Sequence, residues 1–307
     1  VVEVFYVGGL GNYLFQYCFG RLLAERLGYR LVAAPIAGFQ GTRVEVGGAD
    51  HSGREPLVLR GQKPDLTPLE APGVARRVVC SGYFQRYEYY RPHAARIRSW
   101  LEVRDEVPDE VGPADIVLSI RRGRDYIPHF GLPLSYYEEA LRAVPHERVY
   151  ICTNEPNDAF VRHLARRHGA VIRGGSFQGG KMLPDYWSGA LDQLLFIRKF
   201  RNIVVSNSSF SWWAGWLSSA ERIVYPRPAS GMWAKGDPVS RDLDLEVDEP
   251  RYLYLECEDY RAQFLSERLL DWRDRINRFA RATVRAMLPS AWRRHPPPAA
   301  VRFHDDP

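Results

Sequence analysis

The 307-residue sequence has no apolar run of 18 residues, so it offers no segment that reads as a membrane-spanning helix. Its opening stretch, Val1 to Val7, lacks the basic lead and small-residue cleavage site of a signal peptide and reads as a β-strand. The four cysteines (Cys18, Cys80, Cys152 and Cys257) are scattered, with no C-x-x-C pair. That spacing excludes a disulfide framework and a thiolate zinc site, and it fits a reducing cytosol. The eight histidines show neither H-x-x-x-H nor H-E-x-x-H spacing, so no metal site is expected. The dinucleotide fingerprint G-x-G-x-x-G is also missing, as is any internal repeat. Lysine is scarce, at four of the 42 basic residues, and we read that bias as base composition.

Apolar residues make up 45% of the chain and charged residues 26%, the balance of a globular protein with one large or two modest α/β cores. The net charge of +5 is unevenly placed. From Arg261 onward ten arginines face five acids, so the first 260 residues are balanced. The basic character therefore belongs to a tail, and argues only weakly for a body that binds nucleic acid.

The pattern along the chain alternates strand and helix. A strand at 2–7 leads through Gly8-Gly9-Leu10-Gly11-Asn12 into a helix with Leu14, Cys18 and Leu22 on one stripe. Asn12 suits the N-cap of that helix and Gly28 the residue after its end. Residues 35–77 read as loops with short strands, 78–81 as a strand and 91–101 as a helix. Further strands are expected at 115–120, 148–152, 170–173, 202–206 and 222–225. Helices are expected from Ser135, over 158–168, 191–200 and 211–218. Residues 229–260 read as acidic and irregular. From Tyr260 a long helix is predicted, with Leu265, Leu269, Trp272 and Ile276 on its apolar side, ending near Pro289. Such alternation specifies a parallel sheet covered on both faces, with ligands bound at the carboxyl ends of its strands.

The loops after those strands carry the candidate chemistry. The glycine loop, with Gly9, Gly11 and Asn12, either lets a ligand approach the backbone or serves as a tight turn. Arg121-Arg122-Gly123-Arg124-Asp125 places three arginines at one strand end. Arginine holds phosphate bidentately and stabilises charge that develops on a departing diphosphate. Asn207, Ser208 and Ser209 open a helix and form an anion cradle, followed by tryptophans that turn into the core. Asn154 and Glu155 either read a base or ribose, or cap the next helix.

These loops resemble one family. Gly8 to Asn12 with Leu14-Phe15-Gln16-Tyr17, then Gly82-Tyr83-Phe84-Gln85, Arg121-Arg122-Gly123 with Asp125-Tyr126, Leu132-Pro133-Leu134-Ser135-Tyr136-Tyr137, and Asn207 to Leu217 follow in the order of glycosyltransferase family eleven, the α-1,2-fucosyltransferases. The resemblance implies a GT-B-like fold of two Rossmann-type parallel-sheet domains facing a cleft. Residues 1–114 would be the acceptor side and 115–260 the GDP-sugar side, and 261–307 a basic amphipathic helix with a proline-rich tail. It implies inverting transfer of L-fucose from GDP-fucose to a galactose 2-hydroxyl, with no metal or other cofactor. Arg121, Arg122 and Asp125 would be catalytic. Gly9, Gly11, Asn12, Arg121, Asn154, Glu155, Asn207, Ser208 and Ser209 would bind the donor. The family's motif histidine falls on Ser119, and the extra Arg124 shifts the acid to Asp125, with His129 as a substitute for the histidine. Three alternatives remain open: a different donor sugar, a metabolite or lipid-linked acceptor, and a non-catalytic nucleotide-sugar-binding protein. The expected location is cytoplasmic, with the C-terminal helix either packing on the body or touching the inner membrane face. No nucleic-acid partner is expected.

Overall fold

A computed structural model describes residues 1–43, 45–48, 53–70, 76–103, 111–123, 126, 131–174, 177–178, 181–182, 186–229, 233–234, 241–257, 272 and 276. The chain divides into two compact units, Val1–Gln263 and Phe264–Pro307. In the second unit only Trp272 and Ile276 are described, and both are helical and exposed. The rest of the predicted C-terminal helix lies outside the described residues. No helix among the described residues is long and apolar enough to cross a membrane.

The first unit holds two parallel sheets, as strand–helix alternation predicts. The first sheet uses β1 (Val2–Val4), β2 (Leu31–Val32), β3 (Pro56–Leu59) and β4 (Arg77–Cys80) in the order β2-β1-β4-β3. Its helices are α1 (Leu10–Leu27), α2 (Thr67–Glu70), α3 (Tyr87–Tyr90) and α4 (Ala94–Trp100). The second sheet begins with β5 (Ile116–Ile120), α5 (Leu134–Ala143), β6 (Val149–Thr153), α6 (Ala159–His168) and β7 (Val171–Gly174). A small hairpin of β8 (Phe177–Gln178) and β9 (Lys181–Met182) follows, then α7 (Tyr186–Arg198). The sheet ends with β10 (Asn202–Val204), α8 (Ser209–Leu217), β11 (Arg222–Pro228) and β12 (Tyr252–Cys257), in the order β12-β11-β10-β5-β6-β7.

Strands buried on both faces read as unbroken apolar runs, and β5 is buried at all five positions. One expectation fails here. Residues 229–260 are not wholly irregular, because Tyr252–Cys257 pairs in parallel with β11 over six residues. Acidic neighbours at Asp248, Glu249 and Glu256 mask a run whose Tyr, Leu and Cys side chains suit a strand.

Helix α1 is buried on nearly every side, from Leu10 to Ala24, because it lies between its own sheet and α8. Gly20 permits the close approach to β1, where a Cβ would overlap the Val4 side chain. On the opposite side Phe15 meets Trp212 and Trp213 with ring centroids 5.0 and 4.8 Å apart, and Tyr90 at 5.3 Å. This aromatic core joins the helix that follows β1 to the helix that follows β10. Truncating one such tryptophan to alanine costs about 3–5 kcal/mol.

Strand order reverses once in the second sheet. In the second sheet the chain leaves β5 toward β6 and β7, then returns to the other side through β10, β11 and β12. The reversal lies between β5 and β10. In the first sheet the chain steps from β1 out to β2, crosses to β3 at the opposite edge and returns inward to β4, which leaves the ends of β1 and β4 side by side. A crevice at a reversal, beyond the strands' carboxyl ends, is where open parallel sheets take their ligands.

Candidate active site

The loops after β1, β4, β5 and β10 carry the sequence motifs. The first two follow β1 and β4. Gly9, rather than Asn12, caps α1: its carbonyl accepts from the backbone N–H groups of Asn12 and Tyr13 at 3.0 and 3.1 Å. Asn12 therefore sits inside the first turn, which frees its side chain. Its Oδ1 accepts from Gln85 Nε2 at 2.9 Å and from Ser209 Oγ at 2.7 Å. One amide thus ties the loops after β1, β4 and β10 together. Gly28 does end the helix in the left-handed conformation, as expected.

Gly11 lies at a contact between two helices. A Cβ there would overlap the backbone nitrogen of Phe210, so the glycine lets the starts of α1 and α8 touch. Two helix N-termini, each a partial positive charge, are brought together at this point.

The other two loops follow β5 and β10. Arg121 is half-buried, with its guanidinium 5.4 Å from the centre of the Tyr126 ring. The Tyr126 hydroxyl donates to the Asn207 carbonyl and lies 3.0 Å from Asn207 Oδ1. Arginine, tyrosine and asparagine form one cluster across the β5–β10 reversal, beside the start of α8. Ser208 caps that helix and Ser209 opens it, both half-buried.

Arg122 points elsewhere. It is 5% exposed, its guanidinium lies 4.3 Å from the Phe160 ring centre, and Nε is 3.4 Å from Asp158 Oδ1. Its backbone N–H donates to Asn154 Oδ1 at 2.8 Å, and Asn154 Nδ2 returns a bond to the Arg122 carbonyl at 2.6 Å. Asn154 is thereby engaged in holding the arginine loop. Asp158 caps α6 by accepting from the Phe160 N–H at 2.9 Å. Glu155 is half-buried in the turn before that cap, its N–H 3.2 Å from Thr153 Oγ1. Arg124, Asp125 and His129 lie outside the described residues.

Ser119, at the histidine position of the motif, faces inward. Its hydroxyl is 2.7 Å from Ser211 Oγ, which is 2.9 Å from Ser206 Oγ, all three buried. The chain of hydroxyls fastens β5 to the first turn of α8. Tyr136 supports the same loop from below, donating to the Val205 carbonyl at 2.7 Å. Burial pushes its hydroxyl well above the usual tyrosine pKa, so it remains a donor.

Gln16, Gln85 and Tyr126 lie within the motif blocks, but residue type alone assigns them no place in a site. The signal was present for Gln16, an amide within an otherwise apolar helix core. Among the described residues no group of three His, Cys, Asp or Glu side chains is placed to hold a metal ion.

No protein-family model matches the chain. Over 134 residues it is 29% identical to the O-antigen biosynthesis glycosyltransferase WbnK of Escherichia coli. Over that stretch the chain is similar to a glycosyltransferase. That match covers 40% of this chain and 40% of WbnK, so the chain spans about two-fifths of the length of the relative it matches. Two solved structures of NodZ α-1,6-fucosyltransferase, one soaked with GDP-fucose and one co-crystallised with GDP, cover 72% of this chain and 92% of theirs. Their identities are 13% and 14%, and their TM-scores 0.42 and 0.43.

Proposed function

We propose that the protein is an inverting glycosyltransferase of GT-B-like organisation that moves L-fucose from GDP-fucose to a glycan hydroxyl, the 2-hydroxyl of a galactose. The observation that carries the reading is the Arg121–Tyr126–Asn207 cluster at the β5–β10 reversal, beside two converging helix N-termini. That setting suits a diphosphate. Arg121 binds and neutralises it, and Ser208 and Ser209 with the α8 amides receive the remaining charge. In the displacement the acceptor oxygen forms a bond to the anomeric carbon as the bond to the β-phosphate oxygen breaks. The electron pair leaves on GDP, where Arg121 stabilises it, and the acceptor proton passes to a base, for which Asp125 is the candidate. The second sheet serves the donor and the first the acceptor. No metal is needed, because fixed guanidinium and amide groups take the leaving-group charge. Resemblance to WbnK, a glycosyltransferase, supports the class of reaction.

One observation favours a second reading, a nucleotide-sugar-binding protein without turnover. Ser119 replaces the motif histidine and is spent on Ser211, so this position offers the site no imidazole. Thermal stabilisation by GDP, UDP, dTDP and CMP, repeated with Arg121→Ala, tests both. A specific binder gains about 2.7 kcal/mol at ligand a hundredfold above its dissociation constant. GDP stabilisation with fucose transfer supports the enzyme, and stabilisation without transfer across an acceptor panel supports the second reading. Absence of any response to GDP removes both. A cytoplasmic location and peripheral membrane contact extend the proposal. Trp272 and Ile276, four apart on a helix and both exposed, are the residues that would meet lipid. Sedimentation with anionic vesicles, with and without residues 261–307, checks that contact.

A further inference from the structure

Outside the C-terminal unit, six large apolar side chains are exposed among the described residues, and three of them share one place. Phe5 and Val7 follow β1 and Tyr83 follows β4, with exposures of 52%, 51% and 40%. Two strands that pair directly therefore present an apolar lip at their carboxyl ends, next to the glycine loop. We propose that Tyr83, with Phe5 and Val7 beside it, is the surface on which the acceptor sugar ring lies, and that Gln16 is the residue that positions it. The inference rests on the transferase reading above and names the acceptor subsite of that site.

Two features show that the lip is built. Gln16 is buried in α1, and its side-chain amide spans the two loops. Oε1 accepts from the Val7 N–H at 3.0 Å, and Nε2 donates to the Gly82 carbonyl at 3.2 Å. Val7 and the residue preceding Tyr83 are thus held by one side chain. Phe84 has a φ of +52°, a left-handed conformation that costs a bulky residue about 1–3 kcal/mol. The surroundings hold it there: the ring stacks on Phe19 at 4.0 Å, and the Tyr90 hydroxyl donates to its carbonyl at 2.6 Å. In an extended chain residues 83 and 85 would share a side. The turn at Phe84 instead sends Tyr83 out to solvent and Gln85 in to Asn12. The acceptor surface and the link to the donor loops are set by the same kink.

The chemistry of the lip suits a sugar and not a phosphate. Residues 5–9 and 81–85 carry no charge. A pyranose offers an apolar C–H face to an aromatic ring and hydroxyls to neighbouring amides and carbonyls. Tyr6, the other aromatic of the loop, is used in packing, stacked on Tyr13 at 4.5 Å with its hydroxyl bonded to the Ala34 carbonyl at 2.8 Å.

The test uses the full chain saturated with GDP, and methyl glycosides of galactose, glucose and N-acetylglucosamine as probes. Saturation-transfer NMR reads the glycoside ring protons, and thermal shift reads GDP. Tyr83→Ala is expected to lower glycoside affinity, and to raise acceptor KM, about three- to tenfold. GDP stabilisation and kcat at saturating acceptor stay unchanged, and Tyr83→Phe retains wild-type behaviour. Gln16→Met should reproduce the rise in KM without a change in kcat, and an unchanged KM would remove its positioning role. Equal saturation transfer in wild type and Tyr83→Ala overturns the proposal. So does loss of GDP binding in Tyr83→Ala, which would make the ring a platform for the base, and so does absence of glycoside binding to the wild-type GDP complex. Failure of the wild type to bind GDP at all is a different result: it removes the transferase reading, and this inference with it.

Discussion

The two sheets end in loops of opposite character. Beyond β1 and β4, residues 5–9 and 81–85 are uncharged and are organised by amides, Gln16, Asn12 and Gln85. Beyond β5 and β10 they carry arginine and are organised by hydroxyls, Ser119, Ser211, Ser206 and Tyr126. Each sheet sets two neighbouring loops at its carboxyl edge, and the side chains make one pair cationic and the other largely apolar. The proposed transfer, between an anionic donor and a neutral acceptor, would use that asymmetry. Asn12, accepting from both Gln85 and Ser209, is where the two chemistries join.

The sharpest way to break the contrast is Arg121→Ala. It should remove GDP stabilisation and lower kcat/KM by about 10²–10³-fold with little change in melting temperature, because the side chain is half-buried at a loop. Parallel titrations and melting curves would show it. Arg122→Ala should do the reverse. Losing the stack on Phe160 and the pairing with Asp158 costs about 2–3 kcal/mol of stability, read in denaturant unfolding, with a smaller effect on GDP affinity. If both variants lose GDP binding equally, the two arginines share one role.

Gly11→Ala tests the junction itself. The added methyl meets the Phe210 backbone, and overpacking should cost about 1–3 kcal/mol despite alanine's better helix propensity. Circular-dichroism melts measure it, and an unchanged midpoint would mean that the two helix starts are not held together. The smallest effect concerns acid stability of the second sheet. Burial pushes the Asp115 carboxyl up, but bonds from Arg148 at 3.1 and 2.7 Å and from the Gly112 N–H at 2.7 Å outweigh it and hold the pKa below the usual carboxylate range. A depressed folded pKa contributes stability that is present above about pH 4 and is lost as pH falls through the folded value. Asp115→Asn should be less stable than wild type at pH 7 by about 1 kcal/mol, with the gap closing below pH 4.

Much of the second sheet was legible because its strands are continuous apolar runs and its helices carry caps, as at Asp158. Tyr252–Cys257 was not, since an edge strand beside acidic residues lacks that contrast. In the candidate site, residue type marks Arg121, Asn207 and Ser209, whose chemistry is written in their side chains. For Asn154, Gly11 and Asn12 it leaves ligand binding and loop support open, and the structure gives each a partner in a neighbouring loop or helix. An amide serves a ligand or a neighbouring loop equally well, and only its partners decide between them.

By itself the sequence determined the alternation of strands and helices, the position of the arginine and serine loops at strand ends, and the charge of the tail. These follow from local periodicity and residue chemistry, which need no knowledge of distant neighbours. The tertiary structure decided that Arg121 lies over Tyr126 while Arg122 packs on Phe160, that Ser119 is turned inward, and that Gln16 and the left-handed Phe84 hold Tyr83 outward. Those outcomes depend on contacts between residues as far apart as Asn12 and Ser209, and no local pattern carries them.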